Sequence, residues 1–367
     1  MKIVGISDTV LGYGSPQVQK FMEALATHHE TRALVLEPQN PERAPKHELL
    51  PEIDIETINV KAQPYSWPVG RQEYVRNLGK RLDELQPDIL VIFCTFCVPA
   101  LMHMRHRPKK IIYYCIESIV QYGTADVWLN IKYGQLFDVV IYPERNRAAK
   151  DSERCLLTNR PSVVMMNCVN SRNNPEPVLP ANQRNGRILS QGSIAYKLTF
   201  ANYFLDPNAA HSPVDMYGPI SGSEELKERM SKLTTNVQYK GIVDGTTLAE
   251  IRRHYSWGIV IWNPTNENGL YACSNKLFEY IASGVPAISS PHPQHVQLIK
   301  RFGCGIIMPD WTIESFLWSL GEASRIAQSE RYPDYVAACA RAVQEEMNFE
   351  RQFERFLAVY TGQKLSA

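Results

Sequence analysis

The segment CSNKLFEYIASGVPAIS, residues 273–289, sets one carboxylate among apolar residues: Glu279, four after Asn275. Residues three and four apart share a helix face. Stepping 100° per residue puts Leu277, Phe278 and Ile281 on the other, core-facing side. Ser274 or Asn275 supplies an N-cap, and Gly284 and Pro286 stop the helix after about ten residues. A carboxylate in that position either stabilises its own helix start, worth under ~1 kcal/mol, or binds a ligand. It can accept both protons of a vicinal diol, while the free N–H groups of the helix start hold an oxyanion.

Such residues need a frame. Short β-rich runs alternate with amphipathic segments: KIVGIS, TRALVLE, IETINV, ILVIFC, IIYYC, DVVIYP and SVVMMN, then RILSQGS, VDMYGP, VQYKGIV, WGIVIW, AISS and GIIM. Continuous apolar strands separated by helical segments predict parallel sheets covered on both faces. A chain of 367 residues exceeds the usual size of a single core, and the polar, proline-rich stretch 170–186 reads as a linker. The fold class is α/β, with two doubly wound parallel-sheet domains, residues 1–172 and 185–346. Their ligands are expected in an interdomain cleft, beyond the carboxyl ends of the strands. The final segment, NFERQFERFLAVY, has its aromatic residues at helical spacing, and residues 347–367 are expected to dock back on the first domain.

Composition narrows the class. A net charge of +1 argues against a nucleic-acid binder that relies on bulk phosphate attraction. No apolar run approaches the ~20 residues of a membrane span, and the start, MKIVGISD, shows no signal-peptide pattern. Eight scattered cysteines, several in strand runs, read as reduced thiols; a cytoplasmic chain is expected. CTFC (Cys94 to Cys97) lacks a second ligand pair, and nine histidines show no ligand spacing with acids, so no metal site is expected. The basic run RHRPKK, residues 105–110, and the aromatics Tyr65 and Trp67, read as exposed, permit peripheral contact at the inner face of a membrane. The basic run is otherwise a solvated turn.

NKLFEYIASGVPAIS resembles the signature N-K-x-x-E-x-x-A-x-G-x-P-V of GT-B-fold glycosyltransferases, especially the family-4-like retaining enzymes. Asn275, Lys276, Glu279, Ala282, Gly284 and Pro286 fit, with Ala287 in place of the common valine. RILSQGS, VDMYGP, VQYKGIV and WGIVIW extend the likeness over most of residues 187–310. The resemblance implies a GT-B fold of two Rossmann-like domains with a C-terminal crossover helix. It implies metal-independent transfer, with retention, from a UDP- or GDP-sugar donor and no further cofactor. The acceptor would be a hydroxyl of a glycan, a lipid-linked molecule or a small molecule, bound to the first domain.

The same resemblance distributes roles. Glu279 takes the nucleotide ribose, at the helix start marked by Ser274 and Asn275. Lys197, soon after RILSQ, becomes the first cation for the diphosphate, with Lys276 the second and Ser193, beyond Gly192, a hydroxyl donor. Without that likeness Lys197 is a surface lysine. Many members carry another glutamate eight residues before the ribose acid; here the position is Tyr271. Asn268, Gly269 and backbone amides, or Glu267, are then expected to meet the donor sugar. Gly12 and Gly14 open a tight turn near acceptor or diphosphate, or a purely structural one. Glu117 orients the acceptor hydroxyl or stabilises an oxocarbenium-like centre, or else caps its helix. Asp8 is the rival base, as in some inverting members. Glu144 and Arg145 line the cleft or serve a helix start. Two alternatives stand beside this reading: a UDP-sugar 2-epimerase-type enzyme, and a catalytically silent GT-B-like binding or assembly protein, which Tyr271 favours.

Overall fold

The computed structural model describes residues 1–43, 52–171, 178–222, 224–233 and 236–363. The chain forms two compact units: unit 1 comprises Met1–Met165 and Phe353–Ala367, and unit 2 comprises Met166–Gln352. Within the expected linker and tail, residues 172–177 and 364–367 lie outside the described residues.

Every run read as a strand is one. Unit 1 contains β1 (Ile3–Ile6), β2 (Ala33–Pro38), β3 (Ile53–Ile58), β4 (Ile89–Phe93), β5 (Lys110–Tyr114), β6 (Val139–Tyr142) and β7 (Ser162–Val164). Unit 2 contains β8 (Ile188–Gln191), β9 (Val214–Tyr217), β10 (Val237–Gly241), β11 (Trp257–Val260), β12 (Ala287–Ser289) and β13 (Gly305–Ile307). Among the described residues these form a seven-stranded sheet, β3-β2-β1-β4-β5-β6-β7, and a six-stranded sheet, β10-β9-β8-β11-β12-β13. All pairings are parallel, which is why β1, β4, β6 and β11 are buried along their whole length.

Each sheet is covered by its own helices. In unit 1 Val4, Ile6, Leu90 and Ile92 share a core with Tyr74, Leu78 and Leu82 of the Pro68–Leu85 helix. In unit 2 Ile188, Met216, Trp257 and Ile288 share one with Phe204, Phe316 and Leu320. Each such fully buried side chain contributes about 1.5–3 kcal/mol. The closing helix, Phe349–Tyr360, sets Phe353 and Phe356 against Phe21, at centroid distances of 5.8 and 4.9 Å. The eight cysteines are buried free thiols. Among the described residues no helix is long and apolar enough to cross a membrane, and no His, Cys, Asp and Glu group could hold a metal ion.

The topology marks one place in each sheet. The first strand of each unit lies inside it: β1 between β2 and β4, β8 between β9 and β11. The direction of sheet building reverses there, and open α/β sheets bind ligands just beyond the strand ends at such a point.

Candidate functional site

In unit 2 the reversal lies between β8 and β11, and Glu279 is tied to it. Gln191 closes β8; its side-chain amide donates to Glu279 Oε2 at 2.5 Å and accepts from Arg252 Nε at 3.0 Å. Arg252, the last residue of the Gly245–Arg252 helix, brings Nη2 to 3.2 Å of the same carboxylate oxygen. The other oxygen, Oε1, accepts no hydrogen bond among the described residues, and the side chain is 29% exposed. The carboxylate is thus clamped from one side and open on the other.

Lys276 lies one turn earlier on the same helix, Asn275–Ala282. Its stem crosses Gly192, the residue after β8: a Cβ added there would sit 2.4 Å from Cε and 2.9 Å from Nζ. Gly192 also has φ +96, which favours glycine. A second glycine, Gly218 after β9, packs so closely on Gly192 that an added Cβ would lie 2.1 Å from its carbonyl oxygen. The ammonium of Lys276 stands 4.7 Å from the ring centroid of Trp262. Burial pushes this lysine below its ordinary range, and the Glu279 charge opposes the shift.

The remaining unit 2 candidates divide. Ser193 lies next in the turn, its hydroxyl 3.3 Å from that of Ser221. Ser274 is the N-cap by position, yet its hydroxyl accepts from the Trp262 indole at 3.3 Å and not from a helix amide. Asn275 starts the helix, which runs eight residues instead of ten because Gly284, at φ +68, ends it one turn below Tyr280. Lys197 is exposed in the short Tyr196–Thr199 helix and makes no ion pair among the described residues; its carbonyl accepts from Asn263 Nδ2 at 2.7 Å. Asn268 and Gly269 do not belong to an open loop: they form the Glu267–Leu270 helix. Its N-cap, Asn266, takes the Gly269 N–H at 2.9 Å, so that amide is not offered to a sugar. Tyr271 closes the same turn, its N–H bonded to the Glu267 carbonyl.

In unit 1 the reversal lies between β1 and β4, and Asp8 follows β1. Burial, chiefly, raises its carboxyl to about 6; the Glu117 charge adds to the shift, while hydrogen bonds from Thr9 and Cys94 oppose it. Cys94, just past β4, holds φ +64 and ψ 154, a backbone region nearly confined to glycine that costs a side-chain-bearing residue about 1–3 kcal/mol. Glu117 follows β5, 49% exposed, with Arg147 Nη1 at 3.9 Å. The helix-capping alternative for Glu117 goes to its neighbour Ser118, N-cap of the Ile119–Gln121 turn. Glu144 does cap a helix, accepting from Arg147 N at 2.8 Å, so helix-start chemistry explains it. Gly12 and Gly14, at φ +87 and +128, shape the turn into the Pro16–His28 helix. That loop is pinned where buried Glu37 accepts the Leu11 N–H at 2.7 Å.

Tyr65 is not the exposed aromatic the sequence implied. Its hydroxyl donates to the Asp8 carbonyl at 2.8 Å and its ring packs on Tyr74 and Phe96, because the segment before the Pro68–Leu85 helix folds inward over the core. Trp67 remains 67% exposed. The structure gathers Asp8, Cys94 and Glu117 in unit 1 and Gln191, Gly192, Arg252, Trp262, Lys276 and Glu279 in unit 2. Gln191, Arg252 and Trp262 had no motif to announce them; for Gln191 and Trp262 the ends of the strands beside the reversal were the available signal, and Arg252, at the end of a helix, had none.

Sucrose-phosphate synthase from Thermosynechococcus elongatus matches the chain with a TM-score of 0.73 at 14% identity, covering 98% of both chains. A glycosyltransferase from Rickettsia africae matches at 0.71 and 13%, again over 98% of both. Anabaena HepE in complex with UDP-glucose matches at 0.69 and 13%, over 99% of this chain and 100% of that one. The fold is GT-B. No protein-family model matches the chain, and no curated protein does. At such identities the likeness is one of fold.

Proposed function

We propose that this chain is a glycosyltransferase that moves a sugar from a UDP-sugar to a hydroxyl of a glycan or lipid-linked acceptor, with retention. Glu279 carries the reading: one carboxylate oxygen is clamped by Gln191 and Arg252, the other is open, and both lie at the β8–β11 reversal. A ribose diol donates to such a carboxylate. Lys276 and the turn at Gly192 and Ser193 then meet the diphosphate, stabilising its charge as the leaving group departs; Lys197 is a second cation. UDP is preferred to GDP because HepE, which shares the fold, has been seen with UDP and with UDP-glucose.

Unit 1 takes the acceptor. In the inverting alternative Asp8, raised to about 6, is ionised at pH 7 yet more basic than an ordinary aspartate, which would suit it to receive the acceptor's proton. Glu117 stabilises positive charge on the sugar. Exposed Trp67 and the basic run 105–110 are the surface features that would let a cytoplasmic enzyme meet a lipid-linked acceptor at a membrane. A silent binding protein is the second reading, favoured by Tyr271 at the position of a sugar-binding acid.

Calorimetric titration with UDP and GDP, followed by UDP release from UDP-glucose, separates these. Glu279→Gln keeps an oxygen toward Gln191 and Arg252 and is expected to weaken UDP binding by about 1.5–3 kcal/mol. Wild-type protein that ignores UDP, or a variant that binds it equally well, defeats the proposal. UDP binding without any turnover of UDP-sugars would leave the silent reading.

A further inference from the structure

We infer that Trp262 is a positioning residue whose indole face holds the Lys276 ammonium over Gly192, ready for the donor's diphosphate; the inference rests on the nucleotide reading above. Trp262 follows β11; two contacts hold its backbone and two its ring. Its backbone N–H donates to Ser290 Oγ at 3.4 Å, and its carbonyl accepts from Trp311 Nε1 at 3.0 Å. The indole N–H donates to Ser274 Oγ at 3.3 Å, and the ring face meets Lys276 Nζ at 4.7 Å from its centroid.

A lysine stem is flexible and a buried ammonium tends to lose its proton. Both tendencies work against an anion site at this position. The ring answers both: tryptophan gives the strongest cation–π attraction of the aromatic side chains, and it acts on the charged form alone. The charges around the ammonium are few. Glu279 acts on it from its own helix, and Arg252 of the Gly245–Arg252 helix binds that carboxylate. Gly192 offers backbone only, so the ring is the neutral wall that completes the setting.

The test is UDP titration of the wild type, Trp262→Leu, Trp262→Phe, Lys276→Met and the Trp262→Leu/Lys276→Met double variant, with folding checked by circular dichroism. Trp262→Leu is expected to weaken UDP about tenfold and Trp262→Phe less than about threefold, since phenylalanine keeps a ring face. In the Lys276→Met background the leucine change should add nothing. Affinity that depends on the ammonium is full below the lysine pKa and lost above it. Trp262→Leu should therefore lose UDP at lower pH than the wild type. Should that variant fail to fold, Trp262→Phe carries the test: its smaller ring moves the alkaline loss downward, and an unmoved profile overturns the inference. Equal binding by Trp262→Leu overturns it too, as does a Trp262→Phe loss as large as that of leucine, which would credit the Ser274 hydrogen bond. In those cases the nucleotide site stands; a wild type that does not bind UDP removes both.

Discussion

Asp8 gives up hydration to sit where the first strand ends, and its proton records that cost. Burial raises the carboxyl from 3.8 to about 6, so the folded chain binds this proton more tightly than the unfolded one. The resulting stability is fully present below 3.8 and is lost as pH rises through about 6. Asp8→Asn, which has no charge to bury, should gain up to about 3 kcal/mol over the wild type at pH 8. The gain should shrink toward pH 4, as paired urea melts at the two pH values would reveal. Single side chains also show where sequence reading stops. Asn275 and Glu279 could be placed on one face from spacing because one helical turn joins them. Gln191 and Arg252 lie 88 and 27 residues from Glu279, and only the sheet brings them to it. Cys94 has an ordinary identity and an extraordinary backbone angle, which no residue type announces.

At the scale of elements, β1, β4, β6 and β11 were legible as continuous apolar, largely β-branched runs, while the edge strands β3 and β10 mix polar residues into theirs. The Glu267–Leu270 helix escaped notice because four residues complete barely one period. The turns after β8 and β9 are the most demanding joints in unit 2. Gly218, at φ +136 and pressed on the Gly192 carbonyl, has no room for a methyl group. Gly218→Ala should cost about 2–3 kcal/mol in urea unfolding and reduce UDP affinity with it. Gly245→Ala makes the control: a Cβ there meets nothing within 4 Å, so stability should hold or improve. Equal losses in both would mean that the Gly192–Gly218 contact has no special standing.

For the whole molecule, the decisive feature is that unit 1 is assembled from both ends of the chain. Phe356 is fully buried, stacked edge-on against Phe21. Phe356→Ala should destabilise the protein by about 3–5 kcal/mol. A melting curve indistinguishable from wild type would show the closing helix to be ornamental.

A ribosome meets these parts in an awkward sequence. Phe21 and its neighbours Phe93 and Tyr114 leave the exit tunnel before Phe353 and Phe356, and the entire second unit is synthesised in between. The second unit thus has every residue it needs for its own core while the first still waits for two of the four rings around Phe21. What is translated first is finished last.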